Sequence, residues 1–136
     1  MRTAIDTNIL SAIWAPEPNA KELTRTLSEA RDQGSLVICG AVFAETMANP
    51  GADEEFVRRF LDHTGIDVDF LLNEQIWLLA GLRYAQYVER RRNSSREPVK
   101  RLLADYIIGA HATLAADRLM TMDRRYERDF PELKLV

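Results

Sequence analysis

The fold is decided by the first ten residues, Met1–Leu10, which read MRTAIDTNIL. Residues 3–5 form a short run with strand character. The apolar residues that follow have helical spacing, at Ile9, Leu10, Ile13 and Trp14. The pattern predicts a strand that turns directly into a helix and places Asp6 on the turn.

Asp6 has two interpretations at this point. In parallel α/β sheets, ligands and catalytic groups collect outside the carboxyl ends of the strands, which is where Asp6 is expected to lie. Alternatively, Asp6, Thr7 or Asn8 only caps the first helix, because all three residue types are good N-caps.

The rest of the chain alternates short apolar runs with segments of helical periodicity. We expect further strands at residues 36–39, 66–68, 118–121 and 134–136. We expect helices at residues 20–33, 41–48 and 52–63, from Asn73 into the arginines near position 92, at 98–116 and briefly within 123–130. Strands that alternate with helices predict the α/β fold class with a mainly parallel central sheet.

Composition limits the class of protein. A chain of 136 residues fits a single domain over residues 1–136. The one cysteine, Cys39, cannot form an internal disulfide, and its apolar surroundings predict a buried, inert thiol in a reducing cytoplasm. The longest apolar runs are too short to span a bilayer, so we expect a soluble protein with no membrane partner.

Asp105 is an unexpected carboxylate in the helix predicted at residues 98–116. Its neighbours on the same helical face are small or apolar, namely Ile108, Gly109 and Ala112. A lone carboxylate in such surroundings costs free energy or shifts its pKa to stay neutral. Arg101 is the only basic residue within one helical turn, so we expect a positive charge from elsewhere to compensate Asp105.

Two further acids raise the same question. Glu45 lies in the short helix predicted at 41–48, where a solvated position on the flank is the simpler explanation. Asp123 follows an apolar strand, as Asp6 does, although an ordinary turn aspartate has the same pattern.

Parallel α/β geometry joins these four acids. Helices run antiparallel to the strands, so each helix N-terminus lies at the edge where the strands end. Asp6 and Asp123 follow strands, while Glu45 and Asp105 lie in the first turns of their predicted helices. Carboxylates gathered in this way repel each other unless divalent cations neutralise them. An all-oxygen, acidic site suits Mg²⁺ or Mn²⁺.

The chain resembles the PIN-domain ribonucleases in the order and spacing of its motifs. These are DTNIL at residues 6–10, the glutamate after the second strand, DYIIGAHA at 105–112 and TMD at 121–123. The likeness covers essentially the whole chain and is closest to the VapC-type toxins of bacterial toxin–antitoxin pairs. It implies a three-layer α/β/α PIN-like domain.

One stretch departs from the family pattern. Residues 124–126 are Arg-Arg-Tyr, where the family often has another acid and a phenylalanine. No clear fifth acidic ligand follows, because Asp117 and Asp129 lie off the strand end.

The resemblance implies a metal-dependent endoribonuclease that hydrolyses RNA phosphodiester bonds, acting as the toxin of a type II toxin–antitoxin pair. Bound Mg²⁺ or Mn²⁺ would activate a water and stabilise charge on the scissile phosphate, so no nucleophilic side chain is needed. The implied metal-site acids are Asp6, Glu45, Asp105 and Asp123, with Asn8 and Thr121 as polar helpers. The family also implies a homodimer and an antitoxin partner whose tail covers the site.

A basic segment offers a way to attract RNA. The net charge of −3 argues against a broad nucleic-acid surface, yet Arg83 to Arg101 carries seven basic residues against two acidic ones. Candidate phosphate contacts are Arg90, Arg91, Arg92, Arg96, Lys100 and Arg101. A solvated helix end with favourable cations near its C-terminus explains the segment equally well.

Two other functions stay open. One is a degenerate PIN domain that binds RNA or protein without cleavage. The other is a phosphoryl-aspartate receiver or phosphatase domain, which needs a second acid beside the nucleophile and a late lysine. Here Asp6 is followed by Thr-Asn, and the only late lysine is Lys134.

Neither histidine has metal-ligand spacing: we expect His111 in the core and His63 on the surface.

Overall fold

The computed structural model describes residues 1–15, 17–94 and 101–136. Within them, four parallel strands form a sheet, namely β1 (Arg2–Ile5), β2 (Ser35–Cys39), β3 (Ile66–Asp69) and β4 (Arg118–Met120). Their order in the sheet is β3-β2-β1-β4. β1 is central, since Ala4 lies opposite Val37 of β2 and Leu119 of β4. The predicted parallel sheet is confirmed.

The helices cover both faces of this sheet. They are α1 (Thr7–Trp14), α2 (Ala20–Gln33), α3 (Gly40–Thr46), α4 (Glu54–Thr64), α5 (Glu74–Arg92), α6 (Leu103–Ala115) and α7 (Tyr126–Asp129). The chain moves from β1 through β2 to β3 in one direction and then returns across the sheet to β4. Right-handed crossovers therefore put α1 to α4 on one face and α5 and α6 on the other. The result is the expected three-layer α/β/α fold.

The strands are apolar because helices bury them from both sides. Ile5, Val37, Ile38 and Leu119 each have 1% or less of their surface exposed. On the α6 side, Gly109 lies against the ring of Phe130, where a Cβ would come within 2.2 Å of the ring. Glycine is thus required at this position to let the chain after β4 pack against α6.

Two predicted elements near the C-terminal part of the chain differ clearly from the structure. Residues 134–136 form a single parallel bridge, Leu119 with Leu135, instead of an edge strand. α6 begins at Leu103, so Arg101 precedes this helix, and Pro98, where we placed its first turn, lies outside the described residues. None of the described helices has the length and apolar character needed to cross a bilayer.

Candidate active site

A cleft of about 420 Å³ opens at the carboxyl edge of the sheet, beside the ends of β1 and β4. The connection into β2 lies on one face of the sheet and the connection into β4 on the other, which makes this a topological switch point. The four acids predicted to bind metal all line the cleft. Its lining residues are Asp6, Thr7, Asn8, Ser11, Ala12, Glu17, Glu45, Asp105, Met122 and Asp123.

Asp6 lies deepest among these acids, with 6% of its surface exposed. It is also the N-cap of α1, since its Oδ1 accepts a hydrogen bond of 2.7 Å from the backbone N–H of Thr7. The two interpretations of Asp6 are therefore compatible. Burial, together with the nearby charges of Asp105 and Glu45, raises the pKa of Asp6 to about 6. The hydrogen bonds that Asp6 accepts lower its pKa but do not outweigh burial.

Thr121 and Asn8 hold the second oxygen of Asp6. The hydroxyl of Thr121 donates to Asp6 Oδ2 at 2.8 Å, and the amide of Asn8 donates to the same oxygen at 3.2 Å. Thr121 Oγ1 also accepts the backbone N–H of Asp123 at 3.0 Å. These contacts tie the turn after β4 to the turn after β1.

Glu45 reaches the cleft from the second turn of α3, one residue before the helix ends, and not from its first turn as we expected. The helix is short enough that the side chain still lines the cleft. Its Oε1 accepts a hydrogen bond of 2.6 Å from the hydroxyl of Thr7. Thr7, which the sequence suggested only as a cap, thus orients a second acid.

Asp105 is half-buried, not enclosed among apolar side chains. Its Oδ2 accepts the backbone N–H of Leu102 at 3.0 Å, which satisfies one of the free donors at the start of α6. Arg101 supplies nearby positive charge. Burial alone would lower the pKa of Arg101, but Asp105, Asp129 and Asp123 outweigh it and raise the pKa. Asp105 therefore has the counter-charge that its own helix lacks.

Asp123 is held by two guanidinium groups. Arg125 Nη2 lies 2.8 Å from Asp123 Oδ2, and Arg101 Nη1 lies 3.2 Å from the same oxygen. Burial would raise the pKa of Asp123, but the hydrogen bonds from Arg125 and the charge of Arg101 lower it. Asp123 is thus an ionised acid that is already neutralised by arginines.

Arg101 does not offer the exposed cation that an RNA contact requires. Its side chain is 4% exposed, and its Nε lies 3.1 Å from Asp129 Oδ2. Its guanidinium also lies over the ring of Tyr126, 4.9 Å from the centroid. This corrects our prediction for Arg101, which is a buried structural cation.

The other basic residues of the segment have different surroundings. Arg90 is half-buried and pairs with the buried carboxylate of Asp129 at 2.8 Å. Arg91 is partly exposed and Arg92 is exposed, so their contact with RNA stays a prediction. Arg96 and Lys100 lie outside the described residues.

The donor chemistry of the cleft fits a divalent cation. Carboxylate oxygens are the ligands that Mg²⁺ and Mn²⁺ prefer. The raised pKa of Asp6 marks a site where a bound cation would favour the charged acid. Within residues 1–15, 17–94 and 101–136, however, no three His, Cys, Asp or Glu side chains are already close enough to hold an ion. Binding would require the carboxylates to move together.

Residues outside the cleft behave largely as expected. His111 is 1% exposed with its Nε2 2.8 Å from Asp69 Oδ2, and His63 is exposed. Cys39 is buried, which raises the pKa of its thiol and leaves it unreactive. Asp117 lies away from the cleft, where it accepts the backbone N–H of Arg2 at 2.6 Å.

Sequence reasoning missed Arg125, Asp129 and Thr7 as parts of the site. The signal for Arg125 was present, because two arginines follow Asp123 where the family pattern has an acid. Nothing local marked Asp129, which is defined by its contacts with Arg90 and Arg101.

Comparisons with known proteins support the fold. The family model described as the PIN domain matches residues 3–130. Among solved structures, the chain is similar to VapBC2 from Rickettsia felis bound to a DNA fragment from their promoter. That match has 18% identity and a TM-score of 0.67 and covers 100% of this chain and 98% of that chain.

VapBC-1 from nontypeable Haemophilus influenzae is similar too, at 22% identity and a TM-score of 0.66, covering 100% of this chain and 97% of that chain. At these identities, both likenesses concern the fold alone. No curated protein matched the chain at a significant level.

Proposed function

The chain belongs to the PIN domain family, and from this premise we propose that it is a Mg²⁺- or Mn²⁺-dependent endoribonuclease that hydrolyses RNA phosphodiester bonds. The observation that carries the proposal is the buried carboxylate of Asp6 in a cleft that Glu45, Asp105 and Asp123 also line. Family membership also disfavours the receiver and phosphatase alternatives.

Each polar residue of the cleft has a role in this proposal. Asp6, Glu45, Asp105 and Asp123 would hold the cation, which supplies an activated water and stabilises charge on the phosphate. Thr121 and Asn8 fix the orientation of Asp6 through its Oδ2. Thr7 fixes Glu45 through its hydroxyl. These hydrogen bonds orient Asp6 and Glu45 along the cleft that a cation would enter.

We propose further that the protein is the toxin of a type II toxin–antitoxin pair and acts in the cytoplasm as a homodimer with an antitoxin partner. The support is the fold likeness to two proteins described as VapBC complexes, over nearly their full length. We expect a small DNA-binding protein to be encoded beside this one. It should co-purify with this protein and block its cleavage of RNA.

The experiment for the ribonuclease is incubation of the purified protein with structured and single-stranded RNA, with Mg²⁺, with Mn²⁺ or with excess chelator. We expect cleavage with either ion and none with chelator. Full activity in chelator would contradict the proposal.

A second candidate function is a PIN domain that binds RNA without cutting it. The observation that favours it is the engagement of Asp123 by Arg125 and Arg101, which occupies one of the acids. Thermal unfolding with increasing Mn²⁺ separates the two candidates. A metal site gains stability as the ion binds, whereas a site without metal affinity leaves the melting temperature unchanged.

A further inference from the structure

The carboxylate of Asp123 has no oxygen left for a cation. Oδ1 accepts from the backbone N–H and the Nε of Arg125, both at 2.9 Å. Oδ2 accepts from Arg125 Nη2 at 2.8 Å, Arg125 Nε at 3.2 Å and Arg101 Nη1 at 3.2 Å. Asp123 lines the acidic cleft, so these arginines compete directly with any divalent ion for it.

The two arginines differ in how easily they can leave. Arg101 is 4% exposed and is anchored on the buried carboxylate of Asp129. Removing a buried partner of this kind is strongly unfavourable. Arg125 is 49% exposed, and its described polar side-chain contacts all go to Asp123. Exposed ion pairs are weak because water replaces the partner readily.

A freed Arg125 would be a cation beside a cleft that must accept a polyanion. Guanidinium groups bind phosphate as well as carboxylate, through two parallel hydrogen bonds. The same group can therefore neutralise Asp123 in the metal-free protein and a phosphate in the loaded one. The guanidinium of Arg125 therefore has a partner of opposite charge in both states.

We propose that Arg125 is an exchangeable counter-ion: it pairs with Asp123 until a divalent cation takes that carboxylate, and it then pairs with a phosphate of the bound RNA. This rests on the proposed function, and it adds a substrate-binding residue outside the predicted basic segment. It also couples the two ligands, because cation binding releases the group that RNA uses.

The first arm of the test measures Mn²⁺ binding to metal-free protein by calorimetry, without RNA. We expect Arg125→Gln to bind Mn²⁺ about fivefold more tightly than wild type, since the ion no longer displaces an ion pair. Arg124→Gln is the matched control, because it removes the same charge one residue away, from a side chain that is 66% exposed and pairs with Glu127. Equal effects of the two substitutions would overturn the proposal.

The second arm measures binding of a fluorescent single-stranded RNA, with saturating Ca²⁺ or with chelator. With Ca²⁺, we expect Arg125→Gln to weaken binding about fivefold and to lower the salt slope by about 0.7, the value for one phosphate contact on a single strand. With chelator we expect little difference from wild type, because Asp123 holds Arg125. Equal weakening in both conditions would contradict the exchange.

Neither arm requires turnover, so the outcomes separate the two proposals. RNA binding with the expected coupling but no cleavage supports the exchange and contradicts the ribonuclease. Wild-type protein that binds no RNA in either condition overturns both. Arg125→Lys is a second variant that keeps the charge but loses the two-point contact, and we expect its Mn²⁺ affinity to fall between those of wild type and Arg125→Gln.

Discussion

The hydroxyl of Thr121 donates a hydrogen bond of 2.8 Å to Oδ2 of Asp6, joining two residues 115 positions apart in the chain. The bond crosses from the turn after β4 to the turn after β1, and both side chains are buried. It partly offsets the rise in the pKa of Asp6 that burial causes. Thr121 thus keeps the carboxylate oriented and closer to its charged state.

We expect Thr121→Val to lower the free energy of unfolding by about 1–3 kcal/mol, because it leaves hydrogen-bonding groups of Asp6, Asn8 and the Asp123 backbone unsatisfied. Mn²⁺ affinity should fall as well. Thr121→Ser keeps the hydroxyl and serves as the control. Chemical denaturation and calorimetry measure both effects, and equal behaviour of the two variants would contradict the role of the hydroxyl.

The raised pKa of Asp6 predicts a pH-dependent stability in the metal-free protein. The ordinary pKa of an aspartate, which applies to the unfolded chain, is 3.8, whereas the pKa of Asp6 in the folded protein is about 6. Its contribution to stability is therefore fully present below pH 3.8 and is lost as the pH rises through 6. The loss relative to Asp6→Asn should reach about 3 kcal/mol.

Urea unfolding of wild type and Asp6→Asn between pH 4 and pH 7.5, in chelator, measures this loss. We expect the free energy of unfolding of Asp6→Asn to increase relative to that of wild type as the pH rises across that range. Added Mn²⁺ should reverse the trend for wild type, since the cation favours the charged acid. A constant difference at every pH would show that Asp6 has an ordinary pKa.

Arg101 has a structural role that predicts a large effect on stability. Replacing it with Met leaves the buried carboxylate of Asp129 with one partner fewer and removes a guanidinium from Asp123. We expect a loss of about 3–5 kcal/mol in the free energy of unfolding. Arg92→Gln, at an exposed arginine of the same segment, should change it by less than about 0.5 kcal/mol. Near-normal stability of Arg101→Met in urea would contradict the buried role.

Gly109→Ala is expected to destabilise the protein, although alanine usually stabilises a helix. The new Cβ would meet the buried ring of Phe130 at 2.2 Å, and such overpacking typically costs about 1–3 kcal/mol. Gly81→Ala in α5 meets nothing within 4 Å and should instead raise stability by up to about 1 kcal/mol. Thermal unfolding of the two variants should therefore give shifts of opposite sign, and shifts of the same sign would contradict this packing.

Much of the fold followed from the sequence because apolar runs that alternate with helical periodicity leave few alternatives. The bounds of α2, Ala20–Gln33, agree with the predicted range, and the helix ends at Gly34, although the side chain of Asn19 makes no capping hydrogen bond at its start. The strand predicted at 134–136 is only a bridge, because three residues at an edge can satisfy the pattern without forming a ladder.

The acids of the site could also be found, because strand ends and helix starts meet at one edge. Their counter-charges could not. Arg101 and Asp129 are 28 positions apart, and their contact depends on how the segment before α6 packs against α7. For the same reason, the local sequence predicted that Arg101 is a free cation. The place of Glu45 was also imprecise, since Glu45 is the fifth residue of the helix predicted at 41–48 and already lies beyond its first turn.

The most direct test of metal-dependent cleavage compares wild type with Asp6→Asn and Asp67→Asn, the latter an exposed aspartate on β3. The measurement is the rate at which each protein cleaves a single-stranded RNA as Mn²⁺ is titrated from zero in chelator. We predict that wild type and Asp67→Asn cut the RNA with the same dependence on Mn²⁺, while Asp6→Asn does not cut it at any concentration. Unchanged cleavage by Asp6→Asn would contradict the assignment of Asp6 to a catalytic metal site.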